Sequence, residues 1–156
     1  MANSGPFTGE YNGQCRTIRG LSDCFVDTQQ GNISNLRFTG ANIISQKTTG
    51  LAACLVDDSG TVRDTWAKDV HILTRGPGNH AGIGGGLVEG MVANIMAVDS
   101  DVTTWGNYSY AGIGGLVKGK VANIMAVDSN VTTSGNYAYA GIGGGRLSER
   151  LPTPRR

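Results

Sequence analysis

AGIGGGLVEGMVANIMAVDSDVTTWGNYSYAGIGGLVKGKVANIMAVDSNVTTSGNYAYAGIGGG, residues 81–145, is one unit written twice, followed by the start of a third. Ala81 returns as Ala111 and again as Ala140. The segments MVANIMAVDSDVTT (91–104) and KVANIMAVDSNVTT (120–133) differ only at Met91/Lys120 and Asp101/Asn130. A fixed period of about 30 residues marks a solenoid, in which each unit buries its apolar side on the next.

Outward from this core, older copies of the unit align without gaps. ISNLRFTGANI (33–43) and VRDTWAKDVHI (62–72) fall on VANIMAVDSDV (92–102) and VANIMAVDSNV (121–131). Four columns are apolar or small: Ile33/Val62/Val92/Val121, Leu36/Thr65/Ile95/Ile124, Phe38/Ala67/Ala97/Ala126 and Ile43/Ile72/Val102/Val131. Columns 36 and 38 alternate with the charge-bearing columns 37 and 39, which is the strand period. A one-residue slip would turn Arg37 and Lys68 inward, so the pattern determines the register. Before each segment lies a second short strand, at 21–26, 50–56, 82–88 and 112–117; the missing glycine of GIGGLV calls for a bulge or a shortened corner.

The column Asn35/Asp64/Asn94/Asn123 interrupts the alternation. Asn and Asp suit bends, because their side chains bond nearby backbone and tolerate left-handed φ. We read these four as a structural ladder at a corner rather than as a metal or ligand site. Asp69, Asp99 and Asp128 share another column and read as solvated corner residues. Thr103, Thr104, Thr132 and Thr133 form the candidate binding face, an array of hydroxyls repeated from coil to coil. Cys24 and Cys54 align in one column about 4.8 Å apart, which predicts a stack of thiols that can be oxidised.

Residues 1–20 read as a lead-in segment, 21–145 as the repeat domain, and 146–156 as a charged, Pro-containing, solvated tail. Four of the 13 basic residues fall in that tail beside one acid, so the body is slightly acidic and has no basic patch for nucleic acid. No apolar run reaches transmembrane length, and the first residues show no secretion signal. The cysteines and histidines lack metal-ligand spacing. GIGGG fails as a dinucleotide loop, since Leu87 stands where the third glycine is required and no helix follows. We expect no cofactor.

GLVEG (86–90) and GLVKG (115–119), each followed by V-A-N-I (92–95 and 121–124), resemble GLUG-motif repeats. FTGEYNGQCRTIRGL (7–21) is similar to the segment that often precedes them. The resemblance implies an all-β, right-handed parallel β-helix-like solenoid of about 30 residues per repeat in a bacterial secreted or surface protein. It implies an adhesin-like or immunoglobulin A peptidase-type context and carries over no catalytic residue. The expected function is a non-enzymatic structural or adhesive segment, extracellular or on the cell surface. Its expected partners are a host glycan or protein surface and, end to end, further copies of itself. A fragment of a β-helical carbohydrate-active enzyme or carbohydrate-binding module is the alternative; it calls for a cluster of unique residues, whereas Arg63, Trp66, His71 and Trp105 look scattered.

Overall fold

In the computed structural model, residues 5–143 are described, and all of their regular structure is β. The chain winds through four stacked coils. It enters through β1 (Glu10–Arg19). The first coil holds β2 (Val26–Gln29), β3 (Asn32–Thr39), β4 (Asn42–Ser45) and β5 (Thr49–Gly50). The second holds β6 (Ala53–Val56), β7 (Thr61–Lys68), β8 (His71–Arg75) and β9 (Ala81–Gly82). The third holds β10 (Leu87–Val88), β11 (Met91–Val98), β12 (Asp101–Trp105) and β13 (Tyr110–Gly112). The last holds β14 (Leu116–Val117), β15 (Lys120–Val127), β16 (Asn130–Ser134) and β17 (Tyr139–Gly141).

Each strand pairs in parallel with its counterparts in the adjoining coils, which produces four sheets. The main sheet runs β1-β3-β7-β11-β15, and the others run β2-β6-β10-β14, β4-β8-β12-β16 and β5-β9-β13-β17. The four apolar columns expected from the sequence are partners in this register. Ile33, Val62 and Val92 are fully buried, as are Phe38, Ala67 and Ala97. The core is thus a stack of equivalent rungs, and burying one rung requires the next.

The polar interruption works through the backbone. Asn35, Asp64, Asn94 and Asn123 have φ of 55°, 53°, 54° and 53°. This left-handed step resets the alternation, so positions 33 and 36 both face the core although three residues apart. Gly40, Asp69, Asp99 and Asp128 turn the next corner with φ of 66°, 53°, 48° and 47°. At the shortened corner Gly115 has φ 97°, and a Cβ there would run into the Gly85 carbonyl oxygen. Both constraints demand glycine.

The short strands differ from expectation: those expected at 50–56, 82–88 and 112–117 each divide at a corner into two, β5 and β6, β9 and β10, and β13 and β14, which belong to different sheets. The lead-in segment contributes β1, which pairs with β3 from Glu10↔Asn32 to Arg19↔Thr39, interrupted by a bulge between Asn12 and Arg16. The first short strand is Val26–Gln29 rather than 21–26, with Thr28↔Leu55 and Gln29↔Val56 in register. That is three residues away from the alignment that matched Cys24 with Cys54. The two cysteines still meet, diagonally, and are joined in a disulfide with Cα atoms 5.6 Å apart. The expected tail at 146–156, with the last repeat residues 144–145, lies outside the described residues.

Candidate functional site

On β12 the strand period sends Val102 and Thr104 inward and Asp101, Thr103 and Trp105 outward. Pairing stacks these outward positions on those of β8, giving Asp101↔His71, Thr103↔Leu73 and Trp105↔Arg75. The outer side of the β4-β8-β12-β16 sheet therefore carries three side-chain columns: Asn42/His71/Asp101/Asn130, Ile44/Leu73/Thr103/Thr132, and Arg75/Trp105/Ser134.

The first column is a polar rail. His71 Nδ1 lies 3.0 Å from Asp101 Oδ2, and Asn130 Nδ2 donates to Asp101 Oδ1 at 3.0 Å. The middle column is apolar at one end, where Ile44 is 63% exposed, and becomes hydroxyl-bearing at Thr103 and Thr132. In the third, the Arg75 guanidinium sits 5.0 Å from the centre of the Trp105 ring. Its cation is attracted to the negative face of the ring. Together Asn42, Ile44, His71, Leu73, Asp101, Thr103 and Trp105 line a shallow concavity of about 290 Å³. It has an apolar floor, an aromatic wall and a hydrogen-bonding wall.

The four threonines of the candidate face do not lie on one face. Thr103 and Thr132 point outward, whereas Thr104 is fully buried and paired with Thr133 and with buried Thr74 in an interior column. Adjacent residues of a strand point to opposite sides, so a Thr-Thr pair always divides between core and surface. Neither Thr74 Oγ1 nor Thr104 Oγ1 has a hydrogen-bond partner.

Next to the concavity, the corner after β12 gathers most of the remaining exposed aromatic surface. Tyr108 and Tyr137 have φ of 59° and 55° and stack with ring centres 5.3 Å apart and planes 9° apart. Tyr110 and Tyr139 stack in the same way at 5.4 Å, and His80 continues that column at 5.2 Å from Tyr110. The Tyr110 backbone N–H donates to His80 Nδ1 at 3.2 Å. Burial, with a smaller push from Lys118, lowers the His80 pKa to about 4. Burial also raises that of Tyr110, with Tyr139 adding to it.

The Asn/Asp column bonds along the solenoid axis. Asn35 Nδ2 donates to Asn12 Oδ1 at 3.1 Å, Asn94 Nδ2 to Asp64 Oδ1 at 2.8 Å, and Asn123 Nδ2 to Asn94 Oδ1 at 2.9 Å. On the outer side of the same sheet Arg37 lies 6.0 Å from the Trp66 ring centre. One group of metal-type ligand atoms occurs among the described residues, on Asp23, Cys24 and Cys54. Its two sulfurs are bonded to each other, which removes the thiolates a metal would need.

The polar rail and the Arg75–Trp105 pair escaped the sequence reading, which took His71 and Trp105 as scattered. The signal was present, since His71 and Asp101 stand one period apart, as do Arg75 and Trp105. No helix among the described residues is long and apolar enough to cross a membrane. No family model, curated protein or solved structure matches this chain.

Proposed function

We propose that this chain is a non-enzymatic, adhesive β-solenoid segment of a GLUG-repeat type surface or secreted protein of bacterial origin, whose lateral face binds a glycan. The observation that carries this reading is the pairing of the Trp105 wall with the His71–Asp101–Asn130 rail across one concavity. A pyranose ring presents an apolar C–H face and a rim of hydroxyls. The indole suits the first and the carboxylate, imidazole and amide suit the second. Thr103 and Thr132 add donors and acceptors along the same face. The Cys24–Cys54 bridge favours an oxidising compartment, in keeping with an extracellular location.

The test is a glycan array followed by titration of the best ligand. Trp105→Ala and Asp101→Ala should each weaken binding by about tenfold or more, whereas the inward Thr104→Val should leave it unchanged. Failure of every glycan to bind would overturn the reading. Turnover of a polysaccharide, lost on Asp101→Asn, would replace it with the enzymatic alternative, for which the exposed His71–Asp101 pair would be the acid–base candidate.

A further inference from the structure

The two edges of the main sheet complement each other. Among the described residues β1 is one edge strand and β15 is the other, and both run parallel to the strands between them. Following the register through the sheet puts Glu10 in the column of Asn32, Thr61, Met91 and Lys120. The same columns put Tyr11 over Val121 and Ile18 over Ala126. One edge thus offers an acid and two apolar side chains where the other offers a base and two half-buried core residues. Among the described residues, Val121, Ile124, Ala126 and Val131 are only partly buried where they pack against the core, whereas their counterparts Val92, Ile95, Ala97 and Val102 are buried.

A backbone ladder and a side-chain ladder run along the axis with opposite polarities, and each leaves a donor at one end and an acceptor at the other. Gly20 N–H donates to Thr39 O, Gly40 N–H to Lys68 O, Asp69 N–H to Val98 O and Asp99 N–H to Val127 O. Among the described residues, Asp128 N–H is the next donor after this series and Arg19 O the acceptor one step before it. In the amide ladder every donor belongs to the later coil and every acceptor to the earlier one. The Asn123 carbonyl oxygen at one end and the Asn12 amide hydrogens at the other are therefore the next acceptor and donor in sequence.

We propose that chains of this protein stack head to tail, with β15 of one copy pairing in parallel with β1 of the next. In that junction Lys120 meets Glu10, Asp128 lies beside Arg19, and the Asn12 amide of the second copy donates to Asn123 of the first. The contact is heterologous, because the patch used on one copy differs from the patch used on the other. Repeated by translation along the axis it does not close, and it builds a filament. The partner follows from edge complementarity alone and is independent of the lateral glycan face.

Sedimentation of the full chain over a wide concentration range should show an open series of oligomers. Lys120→Glu should weaken association by about two- to fivefold, and adding Glu10→Lys should restore it. Geometry is tested by Glu10→Cys with Lys120→Cys in a Cys15→Ser background. Within one chain these positions are four strand spacings, about 19 Å, apart, too far for a disulfide, but across the junction they are neighbours at about 4.8 Å. Oxidation should give a ladder of covalent oligomers from the double variant and only monomers from either single variant. A monomer at all concentrations would overturn the proposal. So would a closed dimer, or single variants that cross-link to dimers as well as the double variant does.

Discussion

Asp64 accepts the side-chain amide of Asn94 at 2.8 Å and has no hydrogen to pass on to Asn35. An ionised carboxylate only accepts, so the ladder that runs Asn123–Asn94–Asp64 stops there and starts afresh at Asn35–Asn12. Arg63 Nη1 compensates by donating to the other Asp64 oxygen at 2.8 Å, in a pair open to solvent.

Asp64→Asn should therefore be mildly stabilising. It adds one amide bond across the junction and retains a residue that tolerates φ of 53°. What it gives up is an exposed ion pair of small worth. We expect a melting temperature higher by about 1–3 °C, whereas Asp64→Ala should lower stability by about 1–2 kcal/mol. A lower melting temperature for Asp64→Asn would mean that the Arg63 pair outweighs the ladder.

The apolar columns were legible because each interior rung admits only apolar or small residues at period two, and Arg37 and Lys68 rule out the slipped register. The ladder residues announced a bend because few other side chains accept a left-handed φ. The first short strand was not legible, since it ends in Gln29, a polar residue in a column completed by Val56, Val88 and Val117. The alignment that puts Phe25-Val26 over Leu55-Val56, and with them Cys24 over Cys54, misplaces the strand by three residues. The lateral site was hidden for another reason. Its parts, His71, Asp101, Arg75 and Trp105, occupy columns whose residues differ from coil to coil, so they look irregular along the chain and become a group only when stacked.

Gln29 is fully buried, and neither its Nε2 nor its Oε1 has a hydrogen-bond partner. An unmet buried amide costs about 1–3 kcal/mol. Gln29→Leu keeps the volume and restores the apolar column, so it should raise stability by about 1–2 kcal/mol in urea unfolding. Loss of stability would show that the amide has a partner after all, such as an internal water.

The Cys24–Cys54 bridge closes a loop of sequence separation 30 and ties the first coil to the second. Loop-closure entropy for that length corresponds to about 3–4 kcal/mol. A Cys24→Ser, Cys54→Ser chain should be destabilised by that order, measured against the oxidised protein. The two coils after them should retain their protection in hydrogen exchange better than the first, because coils in a solenoid lose order locally. Uniform loss of protection along the chain would contradict this.

His80 sets an acid limit on the fold. Its Nδ1 accepts the Tyr110 N–H, so the neutral ring carries its proton on Nε2, and protonation at Nδ1 abolishes that bond. The pKa falls from 6.5 in the unfolded chain to about 4 in the folded one, so the unfolded state binds the proton more readily. The resulting stability is fully present above pH 6.5 and is lost as pH falls from there toward 4. Allowing for the ring's partial exposure to water, the loss should be about 1–2 kcal/mol. Asp57, whose carboxyl is held low by the Asp58 backbone N–H and by Gln30, adds its own loss only below pH 3.8, outside this window. Urea unfolding at pH 7.5 and pH 4.5 should thus show the wild type losing more stability than His80→Phe, which cannot titrate and keeps an aromatic ring against Tyr110. Equal losses in the two chains would remove His80 from the account.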